Sequence, residues 1–229
     1  MMLSIAMLVY ACTPDIVAMT ERNVGTLLRN TTGEFELRVL FNGGPAVALP
    51  AHPALVPIYI GERQSIAKAY NLAFSCARGD VYACVHNDVS VPYGWNEYLR
   101  PGDDFVFPMA CENAADCADR GIDTLPPYSP PGCCFVFSKD TYMALGGFDE
   151  AFEGCHFEDT DLWMKALAAG KRLVRRDVMV EHGRGKTRTA IPGRANDSFR
   201  ANAERYANRY RREDGSVPLP SISQVPQEN

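Results

Sequence analysis

Three short stretches of this 229-residue chain hold the side chains best suited to chemistry: His86-Asn87-Asp88, Glu158-Asp159-Thr160-Asp161 and Glu181-His182-Gly183. The first follows the apolar run Val81-Tyr82-Ala83-Cys84-Val85, so an ordered segment stops abruptly at three hydrogen-bonding or metal-capable residues. A hard divalent cation takes oxygen, which Asp88 supplies, and an imidazole such as His86 or His182 can join its shell. In the second stretch, three acids crowd a helix start. Free backbone N–H groups and the positive end of the dipole stabilise carboxylates there, so at least one is expected to be a charged base at neutral pH. Each stretch also has a plain structural reading, since Asn-Asp opens turns, here before Pro92, and acids cap helices. Company favours chemistry. Asp88 and His182 each follow an apolar strand, and in a parallel sheet both would face the crevice beside Asp159 and share one divalent ion, leaving positions open for phosphate oxygens.

The elements that must position these groups read as alternating strands and helices. Residues 4–10 form a first apolar strand, and Thr13 as N-cap with Pro14 at the first helical position announces a helix that ends near Asn30-Thr31-Thr32-Gly33. Strands are expected at 37–41 and 56–60, a helix at 65–77 and a strand at 81–85. The lack of polar alternation in that last strand suits the middle of a parallel sheet covered on both faces. The expected order is that of a doubly wound α/β sheet. From Pro92 onward we expect a short helix at 95–99, strands at 105–109, 133–137 and 173–180, and helices at 138–145, from 158, and at 199–212. Residues 111–132 are too long and too rich in proline for a plain connector and read as a functional surface or lid. No internal repeat is visible. One domain over residues 1–198 is expected, followed by a basic helix at 199–213 and a disordered Pro/Ser/Gln tail at 214–229.

With 46% hydrophobic residues the chain can bury a substantial core, yet no run of about 18 apolar residues exists to cross a membrane. The first residues lack the basic flank and cleavage site of a signal peptide, so a soluble, cytoplasmic protein is expected. None of the eight cysteines is in a CxxC pair. Several sit in apolar runs where cysteine acts as a small hydrophobe, and the spacing of Cys111, Cys117, Cys133 and Cys155 fits no common zinc pattern. The net charge of −5 hides an asymmetry: residues 1–170 carry 10 basic and 21 acidic side chains, residues 171–213 carry 13 basic and 5 acidic. The basic third is either an anion-binding surface or a solvated helix face.

Taken in order, residues 79–88, Gly146-Gly147-Phe148-Asp149-Glu150, Glu158-Asp159-Thr160-Asp161-Leu162, Gly170 and Glu181-His182-Gly183 resemble the successive motifs of family 2 glycosyltransferases, over about residues 3–183. The resemblance implies the GT-A fold, a mixed, mostly parallel Rossmann-like sheet flanked by helices. It also implies a nucleotide-diphosphate sugar donor and a Mn²⁺ or Mg²⁺ ion bridging its phosphates. On this basis Asp88 matches the last acid of the metal motif and His182 the histidine that completes the ion's shell, with His86 standing where the motif commonly begins with Asp. Asp159 matches the base that deprotonates the acceptor hydroxyl, with Glu158 beside it. Asn42 lies where the family reads the nucleoside with an acid. Gln64, Ser65 and Asn71 lie in the segment near the donor, Ser65 being the expected contact, and Asn87 adjoins the metal position.

The reaction so implied is direct displacement with inversion, Asp159 taking the acceptor proton while the cation and basic groups such as Arg184, Lys186 or Arg188 neutralise the leaving diphosphate. The basic segment suggests an anionic acceptor, either DNA with a hydroxymethylated base or a phosphorylated molecule; a saccharide and an anionic membrane surface are further candidates. Two other readings remain open: a nucleotidyltransferase, which needs no acceptor base, and a non-catalytic sugar-nucleotide binder.

Overall fold

A computed structural model describes residues 1–102, 104–111, 130–183 and 197–222. The capping chemistry sets the helix starts. Thr13 accepts from the Ile16 amide ahead of Pro14, opening α1 (Pro14–Asn30); Ser65 does the same for α2 (Ile66–Ser75), and Ser138 for α4 (Lys139–Ala144). Between them lie β1 (Leu3–Val9), β2 (Phe35–Asn42), β3 (Leu55–Ile60), β4 (Val81–Val85), β5 (Val89–Ser90), α3 (Trp95–Tyr98), β6 (Phe105–Cys111) and β7 (Cys134–Ser138). The chain continues through α5 (Glu158–Ala168), β8 (Leu173–His182) and α6 (Asp197–Tyr210). No helix among the described residues is long and apolar enough to cross a membrane.

The eight strands among the described residues join one sheet in the order β3-β2-β1-β4-β7-β6-β8-β5. The pairings of β1 with β2 and β4, β2 with β3, and β6 with β8 are parallel, whereas β7 runs against β4 and β6, and β5 against β8. The expected α/β class, mixed and mostly parallel, is what forms. The all-parallel surroundings expected for β4 are corrected on one side, where β7 pairs against it from Val81↔Ser138 to Val85↔Cys134. Apolar runs buried on both faces look alike whichever way the neighbour points, so direction was not readable from composition. Pro108 interrupts β6, and the register against β8 shifts between Phe107 and Met109, as expected where a strand residue has no N–H to donate.

Alternation along β1 sends Ile5, Met7 and Val9 to one core, with Val24 and Leu27 of α1 and Trp95 of α3, and Ala6 to the other. The second core is aromatic. Tyr82, Phe105, Phe107, Phe135 and Phe137 meet Phe74 of α2, Tyr142 of α4 and Trp163 of α5, with Phe74 and Tyr82 stacked at 4.5 Å.

At the amino ends of the strands, opposite the candidate chemistry, a buried carboxylate ties the sheet together. Glu36 accepts from the Ser4 hydroxyl (2.7 Å) and the Arg78 amide (2.7 Å) and pairs with the Arg38 guanidinium (3.3 Å). Burial opposes its charge, but the Ser4 and Arg78 hydrogen bonds and the Arg38 charge outweigh burial and hold its pKa below the ordinary value. Glu36→Ala would leave Arg38, itself buried, without its counter-charge. The expected loss is about 3–5 kcal/mol of unfolding free energy, read from urea denaturation, with the loss appearing in the midpoint rather than the slope.

Candidate active site

At the carboxyl ends of β1, β2, β4 and β8 opens a cleft of roughly 1070 Å³. β4 delivers His86, the following turn delivers Asn87 and Asp88, and β8 ends on His182. The two-residue pairing of β5 with β8 sets Val89 opposite His182, and the Gly183 amide donates to the Asp88 carbonyl (2.8 Å), so Asp88 and His182 are locked side by side. Ligand atoms of His86, Asp88 and His182 all lie within 4.8 Å of one another. The Nε2 of His182 is buried without a hydrogen-bond partner and stands 3.4 Å from Asp88 Oδ1, an ion-pair separation too long for a good hydrogen bond. A cation with ligand bonds of about 2.0–2.3 Å spans such a set, with the Asp88 carboxylate and the imidazoles, once deprotonated, as its donors.

The two histidines differ in charge. Burial, helped by neighbouring His182, holds His86 below the ordinary imidazole pKa, so at neutral pH its lone pair is available. Burial acts the same way on His182, but Asp88 and Cys133 beside it prevail and lift its pKa to about 10. Asn87 is buried: its amide donates to Thr20 Oγ1 (3.1 Å) and its carbonyl accepts from Asn23 (2.8 Å), which pins the turn to α1.

The three acids at the start of α5 have three different environments. Asp161 is buried and accepts from Arg209 Nη1 (2.6 Å) and the Tyr210 hydroxyl (2.8 Å), so it anchors α6. Glu158 is also buried, its Oε2 lacks a hydrogen-bond partner, and burial together with Asp159 pushes its carboxyl well above the ordinary range, toward the protonated form. Asp159 lines the cleft. Its Oδ1 accepts from the Thr160 amide (2.6 Å) and hydroxyl (3.1 Å), and its Oδ2 turns toward Gly132, where a Cβ would fall far inside contact distance.

On the opposite wall, Asn42 lines the cleft, with its amide clasping the Gln64 backbone: Oδ1 accepts from the Gln64 amide (2.8 Å) and Nδ2 donates to its carbonyl (3.0 Å). Ser65 is also on this wall, its hydroxyl capping α2 through the Lys68 amide (3.3 Å). Asn71 is not among the lining residues. Its Nδ2 donates to the Phe148 carbonyl (3.0 Å) and Glu150 (2.9 Å), and its Oδ1 accepts from the Phe148 amide (3.0 Å) and the Tyr142 hydroxyl, which ties α2 to the 147–150 turn. Arg184, Lys186, Arg188, Cys117 and most of the 111–132 segment lie outside the described residues, as does the Cys111 side chain. Cys133 is buried, and Cys155 lines the cleft.

Sequence reasoning missed several lining groups. Arg63 lies over the Tyr10 ring (4.5 Å) at one end of the cleft, and Ser198, Phe199, Asn202 and Arg205 bring α6 in as a wall at the other. A signal for α6 was present. Ser198, Asn202, Tyr206 and Tyr210 recur every fourth residue, a polar and aromatic stripe on one helix face. Gly132 left no such mark.

No protein-family model matches the sequence, and no curated protein does. Solved structures do match. GalNAc-T7, solved with UDP, GalNAc and Mn²⁺, superposes with a TM-score of 0.63 at 12% identity over 79% of this chain and 43% of its own. The mannosyltransferase PcManGT from Pyrobaculum calidifontis, in complex with GDP-Man and Mn²⁺, gives 0.63 at 17% identity over 94% of this chain and 65% of its own. TarS from S. aureus gives 0.53 at 14% identity over 79% of this chain and 35% of its own. The fold is that of the GT-A glycosyltransferases. The chain spans less than two thirds of each of these proteins. Within this GT-A sheet the His86–Asp88–His182 set occupies the carboxyl ends of the strands, where open α/β sheets receive ligands.

The charge state of His182 gives a test of whether this set holds a metal. Its folded pKa, about 10, lies above the unfolded value near 6.5, so its charge stabilises the fold fully below about pH 6.5, and that contribution fades as pH rises through about 10. A coordinating imidazole must be neutral, so Mn²⁺ binding at pH 7.5 should release about one proton and weaken as pH falls. Calorimetry in two buffers of different ionisation enthalpy measures the release, which His182→Ala should remove.

Proposed function

We propose that the protein is a metal-dependent glycosyltransferase that moves a sugar from a nucleoside-diphosphate donor to a hydroxyl acceptor with inversion at the anomeric carbon. One observation carries this reading: His86, Asp88 and His182, from strand ends distant in sequence, share a single cleft with Asp159. The GT-A likeness supports it, and so does the cleft volume, which suits a ligand of nucleotide-sugar size.

In this reading His86, Asp88 and His182 hold a Mn²⁺ or Mg²⁺ ion, which supplies charge stabilisation for the departing diphosphate. The nucleoside end rests by Tyr10, Arg63 and Asn42, with Asn42 acting by fixing Gln64. Ser65 and the 87–88 turn flank the sugar and phosphates. Asp159 is the base. Its carboxylate accepts the acceptor O–H proton as that oxygen bonds to the anomeric carbon, and the old C–O bond breaks with its electron pair left on the diphosphate. Attack from the face opposite the leaving group inverts the centre. Glu158, held toward its protonated form, serves by shaping the Asp159 environment rather than as a second base. The acceptor is a hydroxyl-bearing molecule, either a saccharide or a hydroxymethylated DNA base; a steep loss of acceptor affinity with salt marks the nucleic acid.

A thermal-shift screen of nucleotide sugars with and without Mn²⁺ tests donor and metal together: one class should raise the melting temperature only when Mn²⁺ is present. Asp159→Asn should keep that shift while release of free nucleoside diphosphate falls about 10²–10⁴-fold. Unchanged turnover would instead indicate nucleotidyl transfer. Gly132→Ala makes a finer cut. The nearest groups to the added Cβ are the movable Asp159 carboxylate and the Trp163 ring edge, so stability should change little while turnover drops about 10²-fold as the base is displaced.

A further inference from the structure

The chain enters α5 through an unfavourable backbone. His156 (φ 82°) and Phe157 (φ 69°) are consecutive left-handed residues, neither is glycine, and Phe157 sits at the N-cap with no side-chain cap to offer. Side-chain-bearing residues hold such conformations only where the surroundings over-determine them, and such outliers cluster at functional sites. Here the surroundings are α6. Asn202, 2% exposed, aims Nδ2 at three carbonyls of the approach: Glu153 (2.8 Å), Cys155 (3.0 Å) and His156 (3.0 Å). One turn earlier, Ser198 Oγ lies 3.3 Å from the Cys155 amide, which donates to it, and 3.2 Å from the Cys155 carbonyl, which accepts from it. Gly154 leaves room for this contact, since a Cβ there would come within 2.5 Å of Ser198 Oγ. The Gly154 carbonyl in turn accepts from the Ile66 amide (2.9 Å) at the head of α2.

We infer that Asn202 is a positioning residue for Asp159: it clamps residues 153–156 so that the left-handed pair turns the head of α5, and with it the Asp159 carboxylate, into the cleft. The clamp is a side-chain amide donating to main-chain carbonyls, so it specifies a backbone path and adds no group that reacts. α6 is thereby part of the site rather than a basic appendage to it. The inference rests on Asp159 being the base of the transfer proposed above.

Asn202→Asp tests it, because it keeps the shape and replaces the donating NH2 with a carboxylate oxygen that faces three carbonyls. The expected result has three parts. Amide hydrogen exchange across residues 153–161 rises at least about tenfold. Turnover of the nucleotide sugar found in the screen falls about 10²-fold in kcat with its KM held, as a misplacement near 1 Å produces. Binding of Mn²⁺ with UDP or GDP changes less than about threefold. Unchanged exchange or unchanged kcat overturns the inference, as does a parallel loss of nucleotide binding, which would make Asn202 a general structural residue. If Asn202→Asp fails to fold, Ser198→Ala removes the adjoining clasp and is read the same way with a smaller effect. A wild-type protein that neither binds nor turns over any donor overturns the transferase reading first, and is thereby distinguished from an active wild type whose Asn202→Asp variant is equally active.

Discussion

The tightest constraint in this molecule is the four-residue step from Val85 to Val89. β4 and β5 are separated in the sheet by β7, β6 and β8, four strand spacings of about 4.8 Å each, or about 19 Å if the sheet were flat. Four residues of chain reach at most about 14 Å, and this stretch is not fully extended, since the Val89 amide donates back to the His86 carbonyl (3.1 Å). The sheet therefore has to curl until its far edge meets the end of β4. Once it does, β5 can pair with β8, and His86, Asn87 and Asp88 span the mouth of the curl with His182 against them. The His86–Asp88–His182 cluster is the geometric consequence of that short connection, which explains how three side chains from two distant segments come within 4.8 Å.

A second constraint is electrostatic. Three carboxyls in four residues at a helix start would repel one another if all were ionised and alike in setting. The fold gives each a different environment: Asp161 receives a guanidinium and a phenol, burial and neighbouring Asp159 push the Glu158 carboxyl well above the ordinary range, and Asp159 is left facing the cleft. The separation leaves one carboxylate of defined position at the cleft, which is what the proposed base requires. The same logic divides the histidines, one neutral through burial and the other charged through its carboxylate neighbour.

Where local chemistry decides the structure, the sequence was readable. The N-caps at Thr13, Ser65 and Ser138, Pro14 at the head of α1, and the uninterrupted apolar run of β4 each fixed an element to within a residue or two. Asp88, Asp159 and His182 stood out as candidates because each follows or opens such an element, and the fold brings all three to one cleft. Pairing partners were not readable, since strand direction and neighbours depend on contacts between segments scores of residues apart: β7 slipping in against β4, or β5 crossing to β8. Side-chain destinations shared that limit. Asn42 and Asn71 were expected near the donor from the family resemblance, yet whether an amide faces a cleft or clasps the backbone depends on what folds against it. Gly132 could not be singled out at all, because its role lies in the space it leaves for Asp159.

The charge asymmetry along the chain takes on a different meaning once α6 is docked. Arg209 spans Asp161 (2.6 Å) and Asp149 (2.5 Å), and Arg172 pairs with Asp104 (2.6 Å), so part of the basic third neutralises the acidic body within one molecule. Exposed pairs contribute little to stability, but Asp161 is fully buried, and a buried carboxylate without its guanidinium would be costly. The basic composition of residues 171–213 is thus as much a device for seating α6 as a surface for anions. Of the arginines on that helix, Arg205 is the one that lines the cleft, so any attraction of the helix for a charged acceptor acts there, at the edge of the chemistry, rather than over the whole basic face. The helix that seals the acids of α5 thereby also closes the cleft wall nearest to them.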